Sequence, residues 1–161
     1  MIISFKRACA PIALGLVIGS VTLLSPNDGH AHGGATGVVK ERMDVMTMIG
    51  DAMKKITAMF KRQVPYDDQE VARLAAVIAE QGGEDLTKLF PEGSLHGPSE
   101  ALPAVWERWD RFQTVAAQLS EKARVLESNA PQMMPGAMMS FMDLAKTCNA
   151  CHTEFRKKDE H

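Results

Sequence analysis

Residues 39–60 read VKERMDVMTMIGDAMKKITAMF, and this stretch decides the fold class. Apolar or small residues recur at Val39, Met43, Met46, Gly50, Met53, Ile56 and Phe60. Steps of three and four put them on one face of a helix, with charged residues on the other. A first amphipathic helix over 39–60 follows. The rest of the chain agrees: β-branched runs are few, while Ala, Leu, Met, Glu, Lys and Gln are common, which favours helix over sheet.

Beyond this helix, Pro65 interrupts the chain, and Asp67 or Asp68 can cap what comes next. Val71, Leu74, Ala75, Ile78 and Ala79 keep the helical period until Gly82-Gly83 ends it. Residues 84–100 contain Pro91, Gly93, Gly97 and Pro98, and read as a long loop with one turn of helix around Leu86 to Phe90. A third helix starts near Pro103, which a first turn tolerates, and runs through Val105, Trp106, Trp109, Phe112, Ala116, Leu119 and Ala123 to about Leu126. Asn129-Ala130-Pro131 breaks it. Met138, Phe141, Met142, Leu144, Ala145 and Cys148 then carry a fourth helix to about Lys157. Four amphipathic helices in one small domain match an all-α, antiparallel four-helix bundle, whose inner faces can enclose a ligand.

Toward the N-terminus the chain changes character. Lys6 and Arg7 precede an uncharged run from Ala8 to Leu24, and Gly29-His30-Ala31 offers a small-x-small site. Residues 1–31 are expected to be a secretory signal peptide, with cleavage near Ala31 and one domain over 32–161. An uncleaved anchor is the competing reading, but Pro11 and several glycines and serines interrupt a run that is marginal for a membrane span. No stable membrane insertion is expected after cleavage. The 161 residues suit one domain plus a leader, and 18 basic against 20 acidic residues give a formal charge of −2. No basic field exists for a phosphate backbone, which argues against a nucleic-acid partner.

Export makes the cysteines informative, because an oxidising compartment bridges or ligates thiols. Cys9 would leave with the leader. Cys148 and Cys151 remain, three apart, and a loop that short constrains little of the unfolded chain. They serve a site rather than the scaffold. His152 follows directly, and Cys-x-x-Cys-His is the pattern for covalent haem attachment: each thiol adds to a haem vinyl group, and the imidazole coordinates iron. On a helix these residues stand at i, i+3 and i+4 and project toward one planar ligand. A redox dithiol belongs at a helix N-terminus, and a zinc site needs a second ligand cluster. One haem c with His152 as proximal iron ligand is therefore expected.

For the iron's other face, an antiparallel bundle lays the end of the fourth helix beside the start of the first. His152 and Met46 then lie at about 8 and 10 Å from the same bundle end, at 1.5 Å rise per residue. Gly50, one turn after Met46, leaves space for a flat macrocycle. Met46 is the favoured sixth ligand, with Met43 as its rival; a plain packing role is the bland alternative for either. Arg42 shares a similar face and could pair with a haem propionate, or simply be solvated. His30, His32, His96 and His161 are expected to be solvent-exposed.

The segments Arg42-Met43-Asp44-Val45-Met46 with Ile49-Gly50, Leu89-Phe90-Pro91-Glu92-Gly93-Ser94, Trp106 to Phe112, and Cys148 to Arg156 together resemble the class II cytochromes c, the cytochrome c-prime and c-556 group of exported bacterial proteins. The resemblance spans nearly all of the expected mature chain. It implies a left-handed four-helix bundle, a propionate near Arg42, and haem packing by Trp109 and Phe112. It also implies that Met at position 46 marks a six-coordinate, c-556-like member. Many c-prime relatives pair as homodimers through their first two helices, although nothing in these residues requires it.

Both axial positions filled by His and Met suit an electron carrier, because the iron can change oxidation state with little ligand rearrangement. The leading expectation is a periplasmic, mono-haem one-electron carrier exchanging electrons with periplasmic redox partner proteins. The alternative is a five-coordinate-type protein binding nitric oxide or another small gas, against which Met46 argues. An enzyme is not expected, since the first helix offers no distal acid-base pair.

Overall fold

Asp67 starts the second helix as its side chain suggests: the carboxylate accepts from the Glu70 N–H at 3.0 Å, satisfying a donor that the first turn leaves open. The structure, a computed structural model, describes residues 33–132 and 135–158. Its helices are α1 (Gly37–Phe60), α2 (Asp68–Gln81), α3 (Gly83–Thr87), α4 (Ala104–Glu107), α5 (Trp109–Asn129) and α6 (Gly136–Phe155), with a 3-10 turn at Ala130–Gln132. The expected leader falls outside the described residues. No helix among the described residues is long and apolar enough to cross a membrane.

The four long helices α1, α2, α5 and α6 form the bundle. Its tightest seams join α2 to α5 and α5 to α6; α1 rests on α2, and α1 and α6 hardly meet. Ile56, Val71, Ile78, Val105, Phe112, Leu126 and Leu144 fill the interior and are almost fully buried. Burying each such side chain contributes about 1.5–3 kcal/mol, so apolar contact dominates the fold. Phe60, at the end of α1, lies 5.2 Å from Phe141, near the start of α6. The two helices therefore run antiparallel, and the C-terminal turns of α6 come beside the N-terminal half of α1.

Three local differences from the sequence reading have physical causes. The glycine pair ends α2 at Gln81 as expected, but a new turn starts at once, with Gly83 at φ +60°, so the turn expected around Leu86 to Phe90 comes earlier, at 83–87. Gly82 is also where α2 meets α5: a Cβ there would stand 2.8 Å from the Ser120 backbone nitrogen. The third helix is not continuous. Arg108 takes φ −128°, ψ 48° and separates α4 from α5, and its side chain reaches α6: Nη1 meets Glu154 Oε2 at 2.8 Å and Nη2 donates to the Glu154 carbonyl at 3.2 Å. On α1, two adjacent faces share the work. Ile49, Ala52, Ile56 and Met59 are buried in the core, while Met43, Met46, Gly50 and Met53 are only half-buried.

Candidate cofactor site

Where α1 and α6 stand apart, a cleft of about 420 Å³ opens, within the range of pockets that hold small ligands and cofactors. From α6 it receives Cys151, His152 and Phe155; from α1 it receives Arg42, Met43, Met46 and Gly50; Phe90 and Phe112 form its apolar floor. An added Cβ at Gly50 would meet nothing within 4 Å, so the space beside that turn is open.

Cys148 and Cys151 are free thiols, both partly buried against the core. Burial pushes the Cys148 thiol up. Cys151 is pushed up to about 11, first by burial and then by the neighbouring Cys148 and Glu154, with Arg111 opposing. Neither is an activated thiolate, which sets the pair apart from a redox dithiol, whose attacking thiol is lowered. The His152 imidazole is lowered first by partial burial and then by Arg156, while Glu100 acts the other way. A neutral imidazole is the form that can donate a lone pair to a metal.

Arg42 carries the clearest sign of a missing anion. It is 6% exposed, its Nη2 donates to the Ser94 carbonyl at 2.7 Å, and its guanidinium lies 4.5 Å from the Phe90 ring centroid. Nε and Nη1 have no hydrogen-bond partner among the described residues. Buried charged donors left unmade are costly, so a cation in this state asks for an acidic group in the cleft. Of the two thiols, Cys151 lines the cleft and Cys148 lies one turn earlier on α6; with an imidazole, thioethers, aromatic walls and an unmatched guanidinium they fit a haem with its carboxylates.

The other expected site residues divide. Phe112 lines the cleft and packs edge-on with Phe90 at 4.7 Å and Phe155 at 5.3 Å. Trp109 is not among the cleft's lining residues; its ring packs on Phe112 at 5.6 Å and borders a second pocket with Trp106 and Pro91. Met43 and Met46 both line the cleft, but Met46 also packs against the buried core. His96 is exposed on the loop; His30, His32 and His161 lie outside the described residues.

Sequence reasoning missed two features. Glu154 is clamped by Arg108 and by Arg111, each at 2.8 Å, which holds its carboxyl below the usual range and ties the end of α6 to the α4–α5 kink. Residues 99–102 form an extended strap along the chain leaving α6. Ala101 bridges Arg156 in antiparallel fashion, the Leu102 N–H donates to Phe155 O at 2.9 Å, and the Lys157 N–H donates to Glu100 O at 2.8 Å. Pro98 beside an extended stretch was the only local hint, since proline and its neighbours resist helix.

Comparison with known proteins agrees with this arrangement. A family model described as cytochrome C' matches residues 37–156. The chain is 34% identical over 122 residues to a cytochrome c-556 of Agrobacterium tumefaciens, covering 76% of this chain and 98% of that one. It is 30% identical over 125 residues to a cytochrome c-554 of Cereibacter sphaeroides, covering 76% and 82%. The solved cytochrome c' from Rhodopseudomonas palustris superposes with a TM-score of 0.70 at 28% identity, covering 78% of this chain and all of that one. Family model, relatives and bundle converge on one conclusion: the chain belongs to the class II cytochromes c, the cytochrome c' and c-556 group of non-enzymatic haem proteins, a family that implies covalent haem c.

Proposed function

We propose that the chain holds one haem c in the α1–α6 cleft, through thioethers from Cys148 and Cys151, and carries single electrons between redox partner proteins in the bacterial periplasm. His152 and Met46 would hold the iron in this reading. The observation that carries it is the meeting of an imidazole from α6 and a core-packed thioether from α1 at one cleft. When bound, the haem supplies a reversible one-electron couple, whose potential a His/Met pair raises. The chain's own residues do the rest. Phe90, Phe112 and Phe155 would exclude water from the filled cleft, and Arg42, whose Nε and Nη1 are without partners among the described residues, would orient a propionate. The two helices carry the His152 imidazole and the Met46 thioether on separate rigid elements, so both would keep their places when the group gains or loses an electron.

Residues 1–31 act as the export signal, cleaved near Ala31, which brings the cysteines to the compartment where haem is attached.

An optical spectrum of the ferric and ferrous holoprotein, repeated on Met46→Ala, tests the reading. A low-spin wild type with a methionine-to-iron band, lost in Met46→Ala, is expected. A high-spin ferrous wild type that takes up nitric oxide readily would overturn it in favour of gas binding; an unchanged band in Met46→Ala would move the ligand to Met43.

A further inference from the structure

The wall of the cleft next to His152 is not helical. Helix α6 ends at Phe155, and Arg156 turns to an extended conformation, φ −113°, ψ 142°. The position of Arg156 is therefore set less by α6 than by the 99–102 strap, through the Ala101 bridge and the two flanking main-chain bonds. A side-chain contact completes the attachment: Arg156 Nε donates to Glu100 Oε2 at 2.6 Å. Glu100, Arg156 and His152 all line the same cleft. The partners of this ion pair are 49% and 38% exposed, and a pair that open to water contributes little to stability. Its location gives it another use. Adding an electron to an iron held by His152 would be favoured by a nearby cation and opposed by a nearby anion, most strongly at low ionic strength, where exposed charges are least screened.

We propose that Glu100 is a positioning residue for this site: carried on the strap, it keeps the Arg156 guanidinium beside His152, and its carboxylate offsets the effect of that cation on the reduction equilibrium of the haem. The proposal rests on His152 being the iron's ligand, not on which group holds the opposite face.

The test is a redox titration of the holoprotein at low ionic strength for wild type, Glu100→Gln, Arg156→Gln, the double variant and Glu100→Asp. Removing the carboxylate should raise the equilibrium constant for reduction at least threefold, about 30 mV at 59 mV per tenfold for one electron. Removing the guanidinium should lower it by a similar factor. The double variant should return toward wild type, and Glu100→Asp, which keeps the charge, should stay close to it. Unchanged potentials in both single variants, or shifts of the same sign, would overturn the proposal, since loosening of the strap alone has no reason to produce opposite signs that cancel. Optical spectra of the same samples separate this failure from a deeper one: a wild-type haem without imidazole ligation would overturn the ligand assignment, and the proposal with it.

Discussion

Replacing Arg42 with methionine keeps most of the apolar stem and removes the buried cation, and the two possible outcomes differ enough to be told apart. If nothing acidic enters the cleft, the exchange nearly balances. It relieves two unmade donors, Nε and Nη1, at about 1–3 kcal/mol each. It loses the charged hydrogen bond to Ser94 O at 2.7 Å, about 1.5–3 kcal/mol, and the stacking on Phe90 at 4.5 Å, about 0.5–2 kcal/mol. The sum lies near zero. If a haem carboxylate fills those donors, the same substitution breaks a buried pair and strands its anion, which costs about 3–5 kcal/mol. Guanidinium denaturation of the holoprotein, followed by haem absorption and by helical circular dichroism, measures the difference directly. The expected result is a loss of at least 3 kcal/mol with the slope of the transition unchanged. A loss under 1 kcal/mol would refute the pairing and leave Arg42 a buried cation with no ionic role in the site.

Gly82→Ala should destabilise the bundle by about 1–3 kcal/mol in the same denaturation assay, because the new methyl meets Ser120 backbone at 2.8 Å and neither α2 nor α5 can yield without moving a helix. Arg62→Gly should do the opposite, raising stability by about 0.5–1 kcal/mol. Arg62 sits at φ 58° just past α1, where its N–H donates to Met59 O and the Gln63 N–H to Ala58 O, the closing arrangement that glycine fits best. In the folded haem-free chain, Cys151 should resist iodoacetamide at pH 8 and react faster as pH climbs toward about 11. Since folding raises that thiol from an ordinary value of 9.0, its contribution to stability is complete below about 9 and is lost as pH rises through about 11. A thiol as reactive at pH 8 as a free cysteine would mean that the α6 end is not packed as described.

How far the sequence could be read depended on how locally each feature is determined. The α2 cap needed only Asp67 and its next three residues, and the haem motif needs only five consecutive positions, so both stand in the chain without reference to anything distant. The face of α1 was legible as a period, but the period merged two environments. Met46 and Gly50 continue the stripe that Ile56 begins, although Ile56 is sealed in the core and the others border the cleft; a helical repeat cannot tell a side chain facing a neighbour from one facing a ligand-sized gap. The interruption at Arg108 was invisible because Val105, Trp106, Trp109 and Phe112 keep the helical period straight across it. The groups its side chain meets there, the Glu154 carboxylate and carbonyl, lie 46 residues away. The strap was hidden for the same reason, its partners being 56 residues distant. The residues that would contact iron and porphyrin are thus written in short motifs, whereas those that set the charge around them come from pairings that only the folded chain makes.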